Sequence, residues 1–121
     1  MPDSLLFVYG TLKRGGLSHR LIANQMFIGE AVSRPQYRLY DKGRHPCLVE
    51  DRASGAAVRG EVWRIDPALW KRLDDYEGAP ELFSRRAIAL EGNVPTAWAY
   101  FYNGSVAGMK DCGGAWPAGQ S

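Results

Sequence analysis

The chain has 121 residues, of which 45% are hydrophobic and 23% charged, with 15 basic and 13 acidic side chains and a net charge of +2. This composition is typical of one soluble globular domain that buries roughly two thirds of its unfolded surface. No apolar run approaches the ~20 residues that span a bilayer, and the balanced, scattered charge gives little support to nucleic-acid binding.

The apolar run at residues 5–9 is the first predicted element, and it fits a buried strand. It is too short for the core of a signal peptide and lacks a basic segment before it, so we expect a cytoplasmic protein. The two cysteines, Cys47 and Cys112, are far apart and form no C-x-x-C motif. Neither a zinc site nor a disulfide framework is indicated, and both residues are expected to be reduced thiols.

A glycine loop and a short helix follow the first strand. Gly10 stops the strand, and Ser18 is a suitable N-cap for a helix over residues 19–24. The elements predicted next are a strand at residues 27–32, a strand at residues 37–40 and a turn at residues 44–46.

The second half of the chain predicts a strand, a helix and a hairpin. Residues 58–65 alternate in the manner of a strand, and Asp66-Pro67 then begins a helix of about ten residues. Residues 83–90 and 97–102 predict two strands that pair across a tight turn. From about residue 103 the chain is rich in glycine, and we expect an irregular tail that folds back through Trp116.

These elements predict a single domain over residues 1–121. With about six strands, two short helices and few β-α-β alternations, the class is α+β. A strongly curved or closed sheet with helices on its outside is the expected architecture.

The end of the predicted helix is chemically unusual. Residues 74–77 place three carboxylates where the helix dipole is negative, just before Gly78, which suits the left-handed C′ position. The dipole, the neighbouring acids and burial would each raise the pKa of Glu77, as proton transfer near neutral pH requires. The alternative is a group of solvated acids whose charge is offset by Lys71 and Arg72.

The glycine loop between the first strand and the short helix presents backbone N–H groups that suit an anion. The spacing of Gly10 and Gly15 resembles the start of a Walker motif, but Gly16 and Leu17 replace the required Lys and Ser/Thr. No G-x-G-x-x-G follows the strand, so a dinucleotide fold is equally unsupported. The loop could hold a carboxylate, or it could be a plain tight turn.

Three segments together are more specific than any one of them. They are residues 7–15 (FVYGTLKRG), residues 73–78 (LDDYEG) and residues 83–86 (FSRR). The combination resembles the gamma-glutamylcyclotransferase-like family, also described as AIG2-like, and most of all its gamma-glutamylamine cyclotransferases and small bacterial relatives. The resemblance covers nearly everything from Leu5 to Asn103, including a His-Pro pair at 45–46 before a strand.

The resemblance implies a small, mostly antiparallel β-barrel with flanking short helices. It implies that Tyr9, Gly10, Thr11 and Leu12 bind the γ-glutamyl part of a substrate and that Glu77 is the acid/base residue. The reaction implied is attack of the substrate's own α-amino group on its δ-carbonyl, which releases 5-oxoproline and a free amine. No cofactor or metal is needed, and the expected partner is a small γ-glutamyl compound, with no nucleic acid or membrane; a monomer is favoured.

The remaining reactive side chains have structural interpretations. We expect His19 to be a helix-start residue, His45 a turn residue and Cys47 a buried thiol, because adjacency of His45 and Cys47 along the chain does not make a catalytic dyad.

Aromatic and basic residues leave two further choices open. Trp98, Tyr100 and Tyr102 share one face of a strand and either pack in the core or line the pocket. The basic pairs at 13–14 and 85–86 are interpreted as solvated faces or loop anchors.

Two other functions fit the same residues. One is a non-catalytic domain of the same fold that binds a small ligand or a protein. The other is an enzyme that removes a γ-glutamyl protecting group from a biosynthetic intermediate by the same chemistry.

Overall fold

The computed structural model describes residues 4–116. The strands of this part are β1 (Leu5–Val8), β2 (Met26–Val32), β3 (Tyr37–Asp41), β4 (Pro46–Glu50), β5 (Arg59–Arg64), β6 (Phe83–Ala89), β7 (Thr96–Tyr102) and β8 (Lys110–Gly113). The helix α1 is Trp70–Glu77, and the 3-10 turns are His19–Leu21 and Pro67–Leu69. None of these helices has the length and apolar character that a membrane crossing demands.

The strands of residues 4–116 pair in two sheets. A five-stranded sheet has the order β2-β5-β1-β7-β6, and a three-stranded sheet has the order β4-β3-β8. The central strand β1 runs antiparallel to β5, with Leu6 opposite Trp63, and parallel to β7, with Leu6 opposite Trp98. The antiparallel pairing of β6 with β7 confirms the predicted hairpin.

The edges of the five-stranded sheet meet at one end. Ser33, just after β2, forms an isolated antiparallel bridge with Leu90, just after β6, and Arg34 N–H donates to Ala89 O at 3.0 Å. The sheet is therefore strongly curved, and the predicted α+β class is confirmed. A fully closed barrel stays a prediction.

Strand β1 is buried on both faces. Phe7 belongs to one buried cluster with Phe101 and residues of β3, whereas Leu6 and Val8 belong to a second cluster with Leu73 of α1. This alternation follows from the two-residue period of a strand, and it explains why the sequence of β1 is a continuous apolar run. The strand thus brings its carboxyl end, and the glycine loop after it, to the side where α1 packs.

Helix α1 forms much as the sequence predicts. The Asp66 carboxylate accepts a hydrogen bond from Ala68 N–H at 3.0 Å, and Pro67 occupies the first turn, which is 3-10 before α1 begins. Leu73 is fully buried against the sheet. Gly78 ends the helix with φ 70°, the left-handed conformation that glycine adopts without steric cost.

Two local predictions were wrong. The helix expected over residues 19–24 is only the 3-10 turn His19–Leu21, and Ser18 makes no capping hydrogen bond, because its hydroxyl bonds to Tyr76. The tail after residue 103 is not wholly irregular, since β8 pairs with β3. The prediction that Trp116 folds back is confirmed, because this residue packs against the first buried cluster.

Candidate active site

A small pocket lies where the end of β1, the glycine loop, the start of β4 and the end of α1 come together. It is lined by residues 7–12, His45, Pro46, Glu77, Phe83 and Tyr100. The four loop residues expected to bind substrate and the expected acid/base residue, far apart in sequence, therefore line one pocket. Tyr100 and His45 join them, whereas Trp98 and Tyr102 are not among the described lining residues.

Glu77 occupies the last position of α1 and is partly buried. Within the described part of the chain, no hydrogen bond or ion pair involves its carboxylate. Burial raises the pKa of Glu77 to about 7. A carboxyl group with this pKa can accept and return a proton at neutral pH.

The cause of the raised pKa differs in part from the sequence-based expectation. Burial raises the pKa of Glu77 as expected. The neighbouring acids Asp74 and Asp75 do not raise it, because each is paired with a basic side chain. Asp74 accepts a hydrogen bond from Arg85 Nε at 2.9 Å, and Asp75 lies 3.3 Å from Lys71 Nζ. The alternative of three solvated acids therefore describes Asp75 alone.

The glycine loop approaches β4 too closely for a side chain at its first position. A Cβ on Gly10 would lie 2.5 Å from Pro46 Cγ, closer than real Cβ contacts. Lys13 N–H donates to Gly10 O at 3.1 Å, and Ser18 N–H donates to Thr11 O at 2.9 Å, so the loop folds on itself through its carbonyl groups.

The N–H groups at the pocket are left unpaired by this arrangement. Among residues 4–116, the backbone N–H groups of Gly10, Thr11 and Leu12 donate no hydrogen bond. A backbone donor beside a pocket needs a partner from solvent or ligand, and several close together suit a carboxylate or an oxyanion.

Glu61 of β5 holds the glycine loop in place through hydrogen bonds from Arg14. It is 8% exposed and accepts hydrogen bonds from Arg14 N–H at 3.1 Å, Arg14 Nε at 3.0 Å and Trp63 Nε1 at 3.1 Å. Although burial opposes the change, these bonds hold the pKa of Glu61 below its usual value. The role of Glu61 was not predicted, although an acid that alternates with Trp63 and Ile65 on a buried strand face indicates a paired charge.

The basic pairs fit the expected role of loop anchors. Arg14 holds the glycine loop through Glu61, and Lys13 Nζ donates to Trp116 O at 3.1 Å. On the hairpin, Arg85 pairs with Asp74, and Arg86 Nη1 lies 2.8 Å from Glu50.

Tyr76 links α1 to the loop. Its hydroxyl forms a short hydrogen bond with the Ser18 hydroxyl and lies 3.5 Å from Thr11 Oγ1. Tyr76 immediately precedes Glu77, so these contacts fix the end of the helix against the loop. The sequence did not predict this role of Tyr76, because spacing along one helix cannot reveal a partner on a distant loop.

Two tyrosines form a neutral wall of the pocket. Tyr9 Oη donates to Tyr100 O at 2.5 Å, and Tyr100 Oη donates to Asp74 Oδ1 at 2.7 Å. Burial, and after it the charge of Glu77, raises the pKa of Tyr9; burial and the bond to Asp74 raise the pKa of Tyr100. Both phenols therefore stay uncharged beside Glu77. Tyr100 is at once a core residue and a pocket residue.

The remaining reactive side chains have the structural positions expected of them. His19 begins the 3-10 turn, with Nδ1 2.8 Å from Leu12 O. His45 is exposed in a turn, where its carbonyl accepts from Lys42 N–H, although it also lines the pocket. Cys47 is fully buried, and burial raises the pKa of its thiol. No group of three or more His, Cys, Asp or Glu side chains between residues 4 and 116 could hold a metal ion.

Sequence comparisons agree on one family. Residues 6–118 match the family described as gamma-glutamyl cyclotransferase, AIG2-like. A relative from Vibrio cholerae, provisionally named gamma-glutamylcyclotransferase, is 39% identical over 98 residues, which are 81% of this chain and 81% of that protein. The human gamma-glutamylaminecyclotransferase is 38% identical over 105 residues, which cover 78% of this chain and 68% of that protein.

Solved structures share the fold. The protein ytfP from Escherichia coli is 33% identical with a TM-score of 0.71, over 93% of this chain and 96% of that one. The AIG2-like protein from mouse has a TM-score of 0.75 over 89% of this chain and 84% of that one, at 23% identity. The mouse comparison supports the fold alone, because its sequence identity is low.

Proposed function

The chain belongs to the gamma-glutamyl cyclotransferase, AIG2-like family, and we propose that it is a cyclotransferase that releases 5-oxoproline and a free amine from a γ-glutamyl amide. The observation that carries the proposal is the presence of Glu77, with a pKa of about 7, in one pocket with the unpaired N–H groups of residues 10–12. Such a pocket offers a proton acceptor and an anion-binding surface, and no serine, cysteine or lysine is among its described lining residues.

The first step is ring closure. The Glu77 carboxylate accepts a proton from the substrate's α-ammonium group, and the freed amine attacks the δ-carbonyl carbon to form the new C–N bond of a five-membered ring. Because nucleophile and carbonyl belong to one molecule, holding the substrate folded replaces most of the entropic cost of attack. The carbonyl oxygen gains negative charge, which the loop N–H groups can stabilise.

The second step is collapse of the intermediate. The electron pair on the oxyanion re-forms the carbonyl, and the bond to the departing nitrogen breaks. Protonated Glu77 returns its proton to that nitrogen, and the ring nitrogen, which is positively charged after the attack, loses one proton to solvent. The products are 5-oxoproline and the free amine, and Glu77 is again a carboxylate. One carboxyl group with a pKa near neutrality can serve both steps.

The neutral pocket wall supports this proton cycle. Tyr9 and Tyr100 supply no negative charge at neutral pH, and the charge of Asp74 is paired with Arg85. Burial is therefore the cause of the raised pKa of Glu77. The four residues 9–12 are proposed as the substrate-binding loop, with backbone groups and not side-chain charges as its donors.

The proposal is tested by 5-oxoproline release from a panel of γ-glutamyl-lysine, γ-glutamyl amino acids and glutathione. We expect the wild type to act on at least one compound and Glu77→Gln to lose about 100-fold or more of that activity, the usual size of an acid/base contribution. Asp75→Asn is the matched control, because it removes an exposed carboxylate from the same helix end. Full activity in Glu77→Gln would exclude the proposed acid/base role.

A further inference from the structure

A second pocket adjoins the first across the glycine loop. Gly10 and Thr11 line both pockets, and the second continues along residues 13–17 to Trp116. A substrate whose glutamyl part lies at Glu77 can extend past the shared residues into this second space. The part that extends is the leaving amine, because it projects from the δ-carbonyl away from the ring-forming atoms.

The second pocket holds a positive charge without a counter-charge. Lys13 is partly buried, and its ammonium donates to the neutral carbonyl of Trp116 at 3.1 Å. In the described part of the chain no carboxylate pairs with Lys13, whereas Arg14 beside it is paired with Glu61 and Glu30. No acidic residue appears among the described residues that line the pocket.

Backbone donors and apolar surface complete this pocket. Between residues 4 and 116, the N–H groups of Gly15 and Leu17 donate no hydrogen bond. The Leu17 side chain is 77% exposed and lies with Trp116 at the same pocket. The combination offers a cation and free N–H groups for an anion, with apolar contacts for a carbon skeleton.

We infer that the second pocket is a subsite for the leaving group and that Lys13 makes it select amines that carry a carboxylate over neutral or cationic amines. This inference rests on the proposed function, since it assigns the other half of the same substrate. The lysine ammonium would attract the carboxylate of an amino-acid leaving group and repel a polyamine.

The test compares two substrates that differ only in the carboxylate. γ-Glutamyl-alanine and γ-glutamyl-ethylamide release alanine and ethylamine, which share the same carbon chain apart from the carboxyl group. We expect the wild type to have a kcat/KM about tenfold or more higher for γ-glutamyl-alanine, a typical size for one partly buried charge interaction. In Lys13→Gln this preference should fall towards unity, and added salt should weaken it in the wild type.

Two further variants make the result specific. Lys13→Arg, which keeps the charge, should keep most of the preference, and Lys110→Gln, which removes an exposed lysine on β8, should leave the preference at the wild-type value. An unchanged preference in Lys13→Gln would overturn the inference, as would an equal loss on both substrates, because Lys13 would then act on the glutamyl part. Both of these results leave the proposed function standing. Turnover of neither substrate by the folded wild type would count against the proposed function itself, and the inference would fall with it.

Discussion

The Tyr100 hydroxyl donates a hydrogen bond of 2.7 Å to Asp74, one turn before Glu77 on the same helix. The same carboxylate accepts two hydrogen bonds from Arg85, at 2.9 and 3.2 Å. The hairpin thus holds the carboxyl end of α1 through a paired acid, while the unpaired acid, Glu77, lines the pocket. The two acids differ in pKa because one has hydrogen-bond donors and the other has only burial.

Replacement of the paired acid should destabilise the chain. Asp74→Asn removes the charge that strengthens the bonds from Arg85 and Tyr100, so we expect a loss of about 1–3 kcal/mol in the free energy of unfolding at pH 7. Although burial opposes it, these bonds lower the pKa of Asp74 below 3.8. The stability that the Asp74 carboxylate contributes is therefore complete above pH 3.8, and it is lost as pH falls through the lower pKa of Asp74 in the folded chain.

Urea unfolding at pH 7 and at pH 2 measures this difference. Asp75→Asn serves as the control, because its exposed ion pair with Lys71 should contribute less than about 1 kcal/mol. If Asp74→Asn were as stable as the wild type at pH 7, the bonds to the hairpin would have no net stabilising effect.

The raised pKa of Glu77 should appear in the pH dependence of catalysis. The proposed ring closure needs Glu77 as a carboxylate, so kcat/KM should rise with pH and level off above a midpoint near the folded pKa of about 7. Measurement of 5-oxoproline release from pH 5 to pH 9 gives this midpoint. A kcat/KM that is already level near pH 5.5 would mean that Glu77 is solvated and that burial does not control its proton affinity.

The same pKa predicts that Glu77→Gln stabilises the chain at alkaline pH. A carboxyl group whose pKa rises from 4.5 to about 7 on folding contributes its full stability below pH 4.5, and that stability is lost as pH rises through 7. Glutamine cannot ionise, so the variant should exceed the wild type by about 2–3 kcal/mol at pH 8 and match it near pH 4.

Thermal or urea unfolding of both proteins at the two pH values tests this expectation. Asp75→Asn, which alters an exposed acid, should show no such gain at pH 8. A Glu77→Gln chain that is less stable than the wild type at pH 8 would contradict the burial argument even if the variant were inactive.

Tyr76→Phe should reduce catalysis with little effect on the fold. The change removes the hydroxyl that bonds to Ser18 and contacts Thr11, so the end of α1 is no longer fixed against the loop. We expect kcat to fall about tenfold, because small displacements of a catalytic group are costly, and the free energy of unfolding to fall by about 1 kcal/mol. Tyr40→Phe is a suitable control, since no described hydrogen bond involves the Tyr40 hydroxyl.

The result separates positioning from folding. A drop in kcat at unchanged KM and unchanged pH midpoint would identify Tyr76 as a positioning residue. Equal activity in Tyr76→Phe and Tyr40→Phe would show that other contacts hold Glu77 in place.

The sequence predicted the elements whose patterns are local. The continuous apolar run of β1, the alternation of β5 and the paired strands β6 and β7 follow from residue period and turn chemistry. Strand β8 was missed because it is four residues long, polar and close to several glycines, so only its distant partner β3 makes it a strand.

The same distinction holds in the pocket. Glu77 was predicted as a site residue because a carboxylate at the carboxyl end of a helix contradicts the usual preference for basic residues there. The loop residues were predicted from their resemblance to a family motif. Glu61 and Tyr76 were not predicted in their roles, because each acts through a loop far away in sequence. A single sequence does not state which elements become neighbours.

The unpaired donors at residues 10–12 belong to the backbone, and this has a consequence for how the pocket tolerates mutation. Replacing Thr11 or Leu12 with any residue except proline leaves its N–H group in place, whereas a change at Glu77 removes the one carboxylate among the described residues that line the pocket. Sequence drift in the loop can therefore reshape the walls around a substrate while the anion-binding surface persists. The backbone donors of the pocket are therefore robust to mutation, whereas the proposed proton transfer depends on a single residue.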